Sequence, residues 1–237
     1  MSDTSLQGHD AGLVRNLYAL LIDWDSRNSE GVKAAQNAFN IINSLSSIDE
    51  LTAYLASRDV RAKGRPSLYA TDVIADKNDT NYYCLYIAPE DLRLGDSAEY
   101  KSLTENGERA KKANDAVASY MLQRVGCSET EAQEMMDRAY NFEKSIAEYI
   151  MTRAEAQLPE NSAATNNPVT YAELRQMSPV FPLADMLIST DLVSDRMNLV
   201  LPKWLEGMNA LYTASNLEDM KAYLILRTVA DFYMLYS

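Results

Sequence analysis

Residues 216–237 read NLEDMKAYLILRTVADFYMLYS, and beyond Lys221 this stretch is apolar on nearly every side, broken mainly by Arg227 and Asp231. Ser215 or Asn216 supplies a cap, and a helix that is apolar all round must be buried. No glycine cap, polar turn or tail closes it. It is therefore either the central helix of a helical domain, or a helix that packs on further polypeptide.

Upstream, helical signals dominate. Pro202 opens a helix to about Tyr212 from the favoured first-turn position, preceded by a short extended segment near 197–201. Short helices are expected at Tyr171–Met177 and Leu183–Ile188, and Pro159–Pro168, rich in Asn, Ser and Ala, reads as a loop. Two long helices, Gly107–Val125 and Ser128–Leu158, split at Gly126 and form an antiparallel pair, the second opened by the capping-box spacing Ser128-x-x-Glu131. Its stripe of Ala132, Met135, Met136, Ala139, Phe142, Ile146 and Tyr149 reads as core filler rather than a peptide groove. Near the N-terminus three helices are expected. The first spans Gly12–Trp24, capped by Asp10 and packed through Leu13, Leu17, Tyr18, Leu20 and Leu21; the second spans Ser29–Leu45; the third starts at Ser47 with Ser47-x-x-Glu50.

Only one stretch changes period. Residues 67–88, SLYATDVIADKNDTNYYCLYIA, hold two runs rich in Tyr, Val, Ile and Thr around the turn Asp76-Lys77-Asn78-Asp79, as a β-hairpin requires. The turn lacks the glycine and glutamate of a calcium loop, with Asn81 and Ile87 at those positions. The fold class is thus mainly α: a multi-helix domain over 12–237 with one β-hairpin at about 67–88 and one extended segment, after a disordered leader over 1–11.

Composition narrows the function. The 237 residues are 47% hydrophobic and 24% charged, the proportions of a globular protein. A net charge of −12 repels phosphate backbones, which sets nucleic acid aside as a partner. Histidine is the commonest metal ligand and near-neutral general base, and the sole one, His9, lies in the leader. Zinc-peptidase chemistry and a Ser-His-Asp triad are therefore not expected within the chain. Cys84 and Cys127 lie far apart, outside any C-x-x-C spacing, and a single bridge between them is left open. Glu129, Glu131 and Glu134 read as a solvated helix start, and Asn78-Asp79-Thr80 as a sequon too short to carry weight. No run of 18 apolar residues and no signal-peptide pattern occurs.

Several short motifs follow one another in a recognisable order. They are Val14-Arg15-Asn16-Leu17-Tyr18 ending at Asp23, the turn Asp76-Lys77-Asn78 followed by Leu92-x-Leu94, the helix break at Gly126, and Glu143 with Ala147. Thr170-Tyr171-Ala172-Glu173-Leu174, Pro202-Lys203-Trp204-Leu205 and Tyr223-Leu224-Ile225-Leu226-Arg227 complete the set. In this order, over Leu13 to Tyr236, the chain resembles the N-terminal half of the neprilysin and endothelin-converting-enzyme family of zinc metalloendopeptidases, which includes bacterial oligopeptidase O. It departs from the family at Leu226 and Trp204, where Trp and Tyr are usual, and at Gly95–Tyr100, which lacks the usual Pro and Tyr-Tyr pair.

The resemblance implies a helical lid domain that faces a catalytic domain across a closed chamber and restricts substrates to oligopeptides. The family's His-Glu-x-x-His helix and Asn-Ala-Tyr/Phe-Tyr substrate strand are not in this sequence, so the chain is expected to be noncatalytic and truncated at both ends. Zinc is expected in the missing catalytic domain, which becomes the chain's partner, and a cytoplasmic or an exported parent is equally compatible. No catalytic or metal residue is implied here. Asp76, Lys77, Asn78, Trp204 and Arg227 are motif residues with an expected structural or interdomain role. The alternative is a stand-alone helical module that binds a peptide or protein through its tyrosine-rich surface and has no peptidase activity.

Overall fold

The computed structural model describes residues 8–236. Helices α1 (His9–Ile22), α2 (Trp24–Glu30), α3 (Lys33–Asn43), α4 (Ile48–Leu55) and α5 (Arg58–Ala62) lead into strands β1 (Ala70–Ala75) and β2 (Tyr83–Ala88). Then come α6 (Ala98–Lys101), α7 (Glu105–Arg124), α8 (Glu129–Ala147), α9 (Arg153–Ala156) and α10 (Pro159–Ser162). Strand β3 (Pro168–Val169), α11 (Tyr171–Met177), α12 (Leu183–Ser189), β4 (Met197–Leu199), α13 (Pro202–Leu211) and α14 (Leu217–Tyr236) complete the chain. The mainly α class stands.

Helix α14 is the central helix. Its residues from Met220 to Leu226 are buried without interruption, and it packs on α3, α7 and α8. The buried polar residues of this helix are paired: Lys221 Nζ donates to Glu218 at 2.8 Å, and Thr228 Oγ1 to the Leu224 carbonyl at 2.7 Å. Those bonds remove the desolvation penalty that would otherwise exclude them. A second cluster forms around Phe181, whose ring meets Trp204, Tyr212 and Tyr69 at centroid distances of 6.3, 5.1 and 6.4 Å in edge-on arrangements that aromatic quadrupoles favour.

Side-chain caps set the helix starts. Ser128, Thr152 and Thr170 each form a full capping box with the glutamate three residues on. At Ser47 only half the box forms: its hydroxyl accepts from Glu50 N, while the Glu50 carboxylate turns to Ser46 N and Oγ. Gly126 sits at φ +102° between α7 and α8, a backbone region open to glycine, and lets the two helices fold back on each other.

Three expectations are corrected. The helix expected to reach Leu158 ends at Ala147, because the Thr152 box starts α9. The helix expected from Ser29 starts at Lys33, since Gly31 adopts φ +53°. The loop expected at Pro159–Pro168 contains α10, a 3-10 turn at Ala163–Thr165 and β3. The expected hairpin and the extended segment near 197–201 both stand, and they join in a four-stranded sheet of order β1-β2-β4-β3, in which β2 pairs parallel with β4 (Leu85↔Met197, Ile87↔Leu199) and β3 antiparallel with β4. Asn198 joins these pieces: buried, it accepts from Asn167 N at 2.6 Å and donates to the Thr165 carbonyl at 3.0 Å.

The opening helix also differs from expectation. Of the expected disordered leader, residues 1–7 lie outside the described residues, and 9–11 form the first turn of α1. The helix breaks at Asp23, whose carboxylate accepts from Ser26 N and starts α2. No residue of α1 is buried, so its apolar stripe has the right period but stays exposed among the described residues.

Candidate functional site

The triplet Asp76-Lys77-Asn78 leaves β1 at the hairpin tip and reaches two distant segments, Asp76 the residue before β4 and Lys77 and Asn78 the 165–166 segment. Asp76 N donates to the Tyr82 carbonyl, while its buried carboxylate accepts from Asn78 N and from Arg196 Nη1, both at 2.8 Å. Those two donors, the backbone N–H first, hold the carboxyl below the usual aspartate range. The Arg196 guanidinium also lies over the Tyr82 ring, 4.0 Å from its centroid. Lys77 N donates to the Tyr86 hydroxyl and Lys77 Nζ to Thr165 Oγ1 at 3.2 Å. Asn78 and Asn166 exchange side-chain amide bonds at 2.8 and 3.2 Å. The tip is thereby tied both to the 165–167 segment and to the residue before β4.

Beside the tip, Asp76, Asn78, Cys84, Glu173, Arg196 and Asn198 line an open cleft of about 390 Å³. Burial pushes the Cys84 thiol up, and Cys127 likewise; both cysteines are free.

Arg227 and Trp204 lie beyond the other end of β2. Strand β2 runs from Tyr83 at the tip to Ala88, so the seven steps to Glu90 put roughly 20 Å between the two sites. Arg227 Nη1 donates to the Asp91 carbonyl at 2.7 Å and to the Tyr223 hydroxyl at 3.2 Å, and Nη2 to Glu90 at 2.9 Å. Burial raises the Glu90 carboxyl, an effect Arg227 opposes. Trp204 is buried on α13, and it lines the same interior seam as Tyr223, Glu90, Leu68 and Phe142.

Adjacent to Arg227 is a hub that the motif reading touched only at Glu143. This carboxylate, fully buried on α8, accepts from Arg93 N at 3.1 Å, Arg93 Nε at 3.0 Å and the Tyr100 hydroxyl at 2.9 Å. Tyr100 in turn accepts from Leu94 N, and Asn114 donates to the Arg93 carbonyl. The signal for Glu143 was legible: it stands on the same helix face as Ala139, Phe142 and Ile146. Arg93, Tyr100, Glu90 and Arg196 had no comparable periodic signal, because all but Tyr100 lie outside helices and their partners are distant in sequence.

Two surfaces carry uncovered apolar side chains. On α1 and the start of α2, Leu13, Leu17, Leu20, Leu21 and Trp24 are all exposed, Leu20 at 69%. At the hairpin, Val73, Ile74, Tyr82 and Tyr83 are exposed, Tyr83 at 74%. Among the described residues no three His, Cys, Asp or Glu side chains are grouped to hold a metal ion, and no helix is long and apolar enough to cross a membrane.

A family model for the N-terminal domain of peptidase family M13 matches residues 2–237. No curated protein matches the sequence. Among solved structures, the zinc metalloprotease Zmp1 of Mycobacterium tuberculosis in its open state is similar with a TM-score of 0.77 and 20% identity, over 94% of this chain and 34% of that one. Its inhibitor complex is similar with a TM-score of 0.74 and 20% identity, over 90% and 32%. PepO of Lactobacillus rhamnosis is similar with a TM-score of 0.71 and 18% identity, over 85% and 31%. The chain therefore spans about a third of the length of these solved structures, at identities that speak for the fold alone. With the family match covering nearly every residue, the chain belongs to peptidase family M13, of whose N-terminal domain it is a member.

Proposed function

We propose that this domain is the noncatalytic lid of a zinc metalloendopeptidase, packed over a catalytic domain so that only oligopeptides reach the enclosed chamber. The observation that carries this reading is α1: a helix with apolar residues at helical spacing, none of them buried, in a domain whose other long helices bury theirs. Such a stripe marks a surface meant to be covered. Its covering partner is the catalytic domain, and the exposed Tyr82 and Tyr83 at the hairpin tip form a second point of contact.

On this reading the lid's mechanism is steric, and its side chains act by holding shape. Asp76, Lys77 and Asn78 hold the hairpin tip, while Arg227 holds the segment after β2 against the central helix and Trp204 fills the adjoining seam. A zinc ion, when bound in a metallopeptidase, polarises the scissile carbonyl and its attacking water. This chain does not fit as its holder. Its one histidine, His9, is exposed on α1, and no converging donor set accompanies it among the described residues.

The test is capture of the native polypeptide from its source cells with an antibody raised against this chain. The reading expects a heavier polypeptide with bound zinc that cleaves short peptides, is silenced by a chelator and leaves folded proteins intact. A captured protein at this chain's own mass, free of zinc and without cleavage, would sink it.

A further inference from the structure

Behind the Glu90–Arg227 pair lies an open cleft of about 450 Å³, walled by α7, α14 and the Gly64–Pro66 segment. That volume falls within the range of roughly 300–1,000 Å³ typical of small-ligand sites. Three guanidinium-bearing residues line it, Arg65, Arg93 and Arg227, in a chain whose net charge is −12.

The three arginines are not equally occupied. Arg227 is engaged by Glu90, Asp91 and Tyr223. Arg93 commits only Nε, to Glu143, and both of its terminal nitrogens lack a hydrogen-bond acceptor among the described residues, although its side chain is only 14% exposed. The Arg65 guanidinium makes no hydrogen bond among the described residues and lies over the Phe232 ring, 4.6 Å from its centroid. A guanidinium held by stacking, with its donors unused, is pre-set for a planar carboxylate.

The same cleft also carries acceptors. The Asp231 carboxylate accepts no hydrogen bond from the described residues, and Glu90 engages Arg227 through one oxygen only, Oε2. Two carboxylates disfavour a doubly charged phosphate through like-charge repulsion. A carboxylate with a nitrogen donor one carbon away satisfies both sets of groups.

We propose that this cleft binds an α-amino-acid unit, either a free amino acid or the carboxyl-terminal residue of a peptide, with its carboxylate on Arg65 and Arg93 and its nitrogen on Asp231 or Glu90. The inference stands on the cleft's own groups and is independent of the lid role.

The test titrates the 237-residue chain with L-alanine, N-acetyl-alanyl-alanine, the C-terminal amide of that dipeptide, and inorganic phosphate, following the arginine Nε–Hε NMR signals. The expected result is saturable shifts of Arg65 and Arg93 with an acid form, and binding of the amide weaker by about tenfold or more, as the loss of a charged hydrogen-bond acceptor implies. Tighter binding of alanine identifies a free amino acid as the ligand, and tighter binding of the acetylated dipeptide a peptide terminus. Arg65→Met should weaken binding by about tenfold while leaving the unfolding midpoint in place, and Arg109→Met, exposed on α7, should change neither. If Arg65→Met does not fold, Arg65→Lys, which keeps the charge and loses the fork, takes its place. Equal binding of acid and amide, tighter binding of phosphate, no binding of any probe, or unchanged binding by the Arg65 variant would each overturn the proposal.

Discussion

Replacing Glu143 by alanine removes the acceptor on which Arg93 N, Arg93 Nε and the Tyr100 hydroxyl converge. The donors left behind differ in what water can do for them. Tyr100 is buried and its hydroxyl has nowhere to turn, whereas Arg93 borders the open cleft. Breaking one side of a buried pair costs about 3–5 kcal/mol, and partial hydration of Arg93 puts the expected loss near the lower end, about 3 kcal/mol. At about 2–4 °C per kcal/mol for a chain of this length, the thermal midpoint should fall by roughly 6–12 °C. Tyr100→Phe alone removes a single donor and should cost about 1 kcal/mol. Because both changes act on one carboxylate, the double variant should lose less than their sum by at least about 0.5 kcal/mol. Urea unfolding followed by far-UV circular dichroism and by the fluorescence of Trp24 and Trp204 measures all three. A Glu143→Ala midpoint within about 1 kcal/mol of the parent, or strict additivity with Tyr100→Phe, would refute the view that this carboxylate anchors the 91–100 segment to α8.

Three further outcomes are expected. Gly207→Ala would put a Cβ 2.4 Å from the Tyr149 ring; helix propensity alone would stabilise the variant, so a loss of about 1–3 kcal/mol in urea unfolding marks the close approach of α13 to the turn that follows α8. Burial pushes the Tyr212 hydroxyl up to about 12 and Tyr100 higher still, so the folded state keeps protons that the unfolded chain releases near pH 10. Stability is therefore whole below about pH 10 and falls as pH rises toward 12, and a thermal midpoint that stays flat from pH 8 to 11.5 would contradict this. Leu17→Glu combined with Leu21→Glu should leave the unfolding free energy within about 0.5 kcal/mol and reduce self-association in sedimentation velocity, since neither side chain is buried in the chain alone.

Helices with a one-sided stripe or a capping residue were legible in the sequence to within a few residues: α7 at Glu105–Arg124, α11 at Tyr171–Met177 and α13 at Pro202–Leu211. Periodicity reports that a face is apolar and not what meets it. That is why α1 was expected to bury its stripe and, among the described residues, leaves it exposed. The sheet was half-legible for a related reason, since the turn joining β1 to β2 is local, whereas the pairing of Leu85 with Met197 is carried by no short-range signal. Strand β3, two residues starting at Pro168, falls below any periodic reading. In the site, the motif residues Asp76, Lys77, Asn78 and Arg227 were visible, but their partners Arg196, Thr165, Asn166 and Glu90 sit in connecting segments where spacing predicts nothing.

The position of α14 also dictates an order of events during synthesis. The helix that fills the middle of the domain follows every other element in the chain, and β2 must wait for β4. From Asn43, where α3 ends, to Met220, a ribosome moving at about 5–20 residues per second needs roughly 10–35 s, and for that interval α3 has no central partner to close on; α7 and α8, made later, wait a shorter time. The α7–α8 pair can form early from its own short connection. Until α14 is made, α3 shows the surfaces of Phe39 and Ile42, and α8 those of Phe142 and Ile146, to solvent and to holdase chaperones, so closure of this core is a late event.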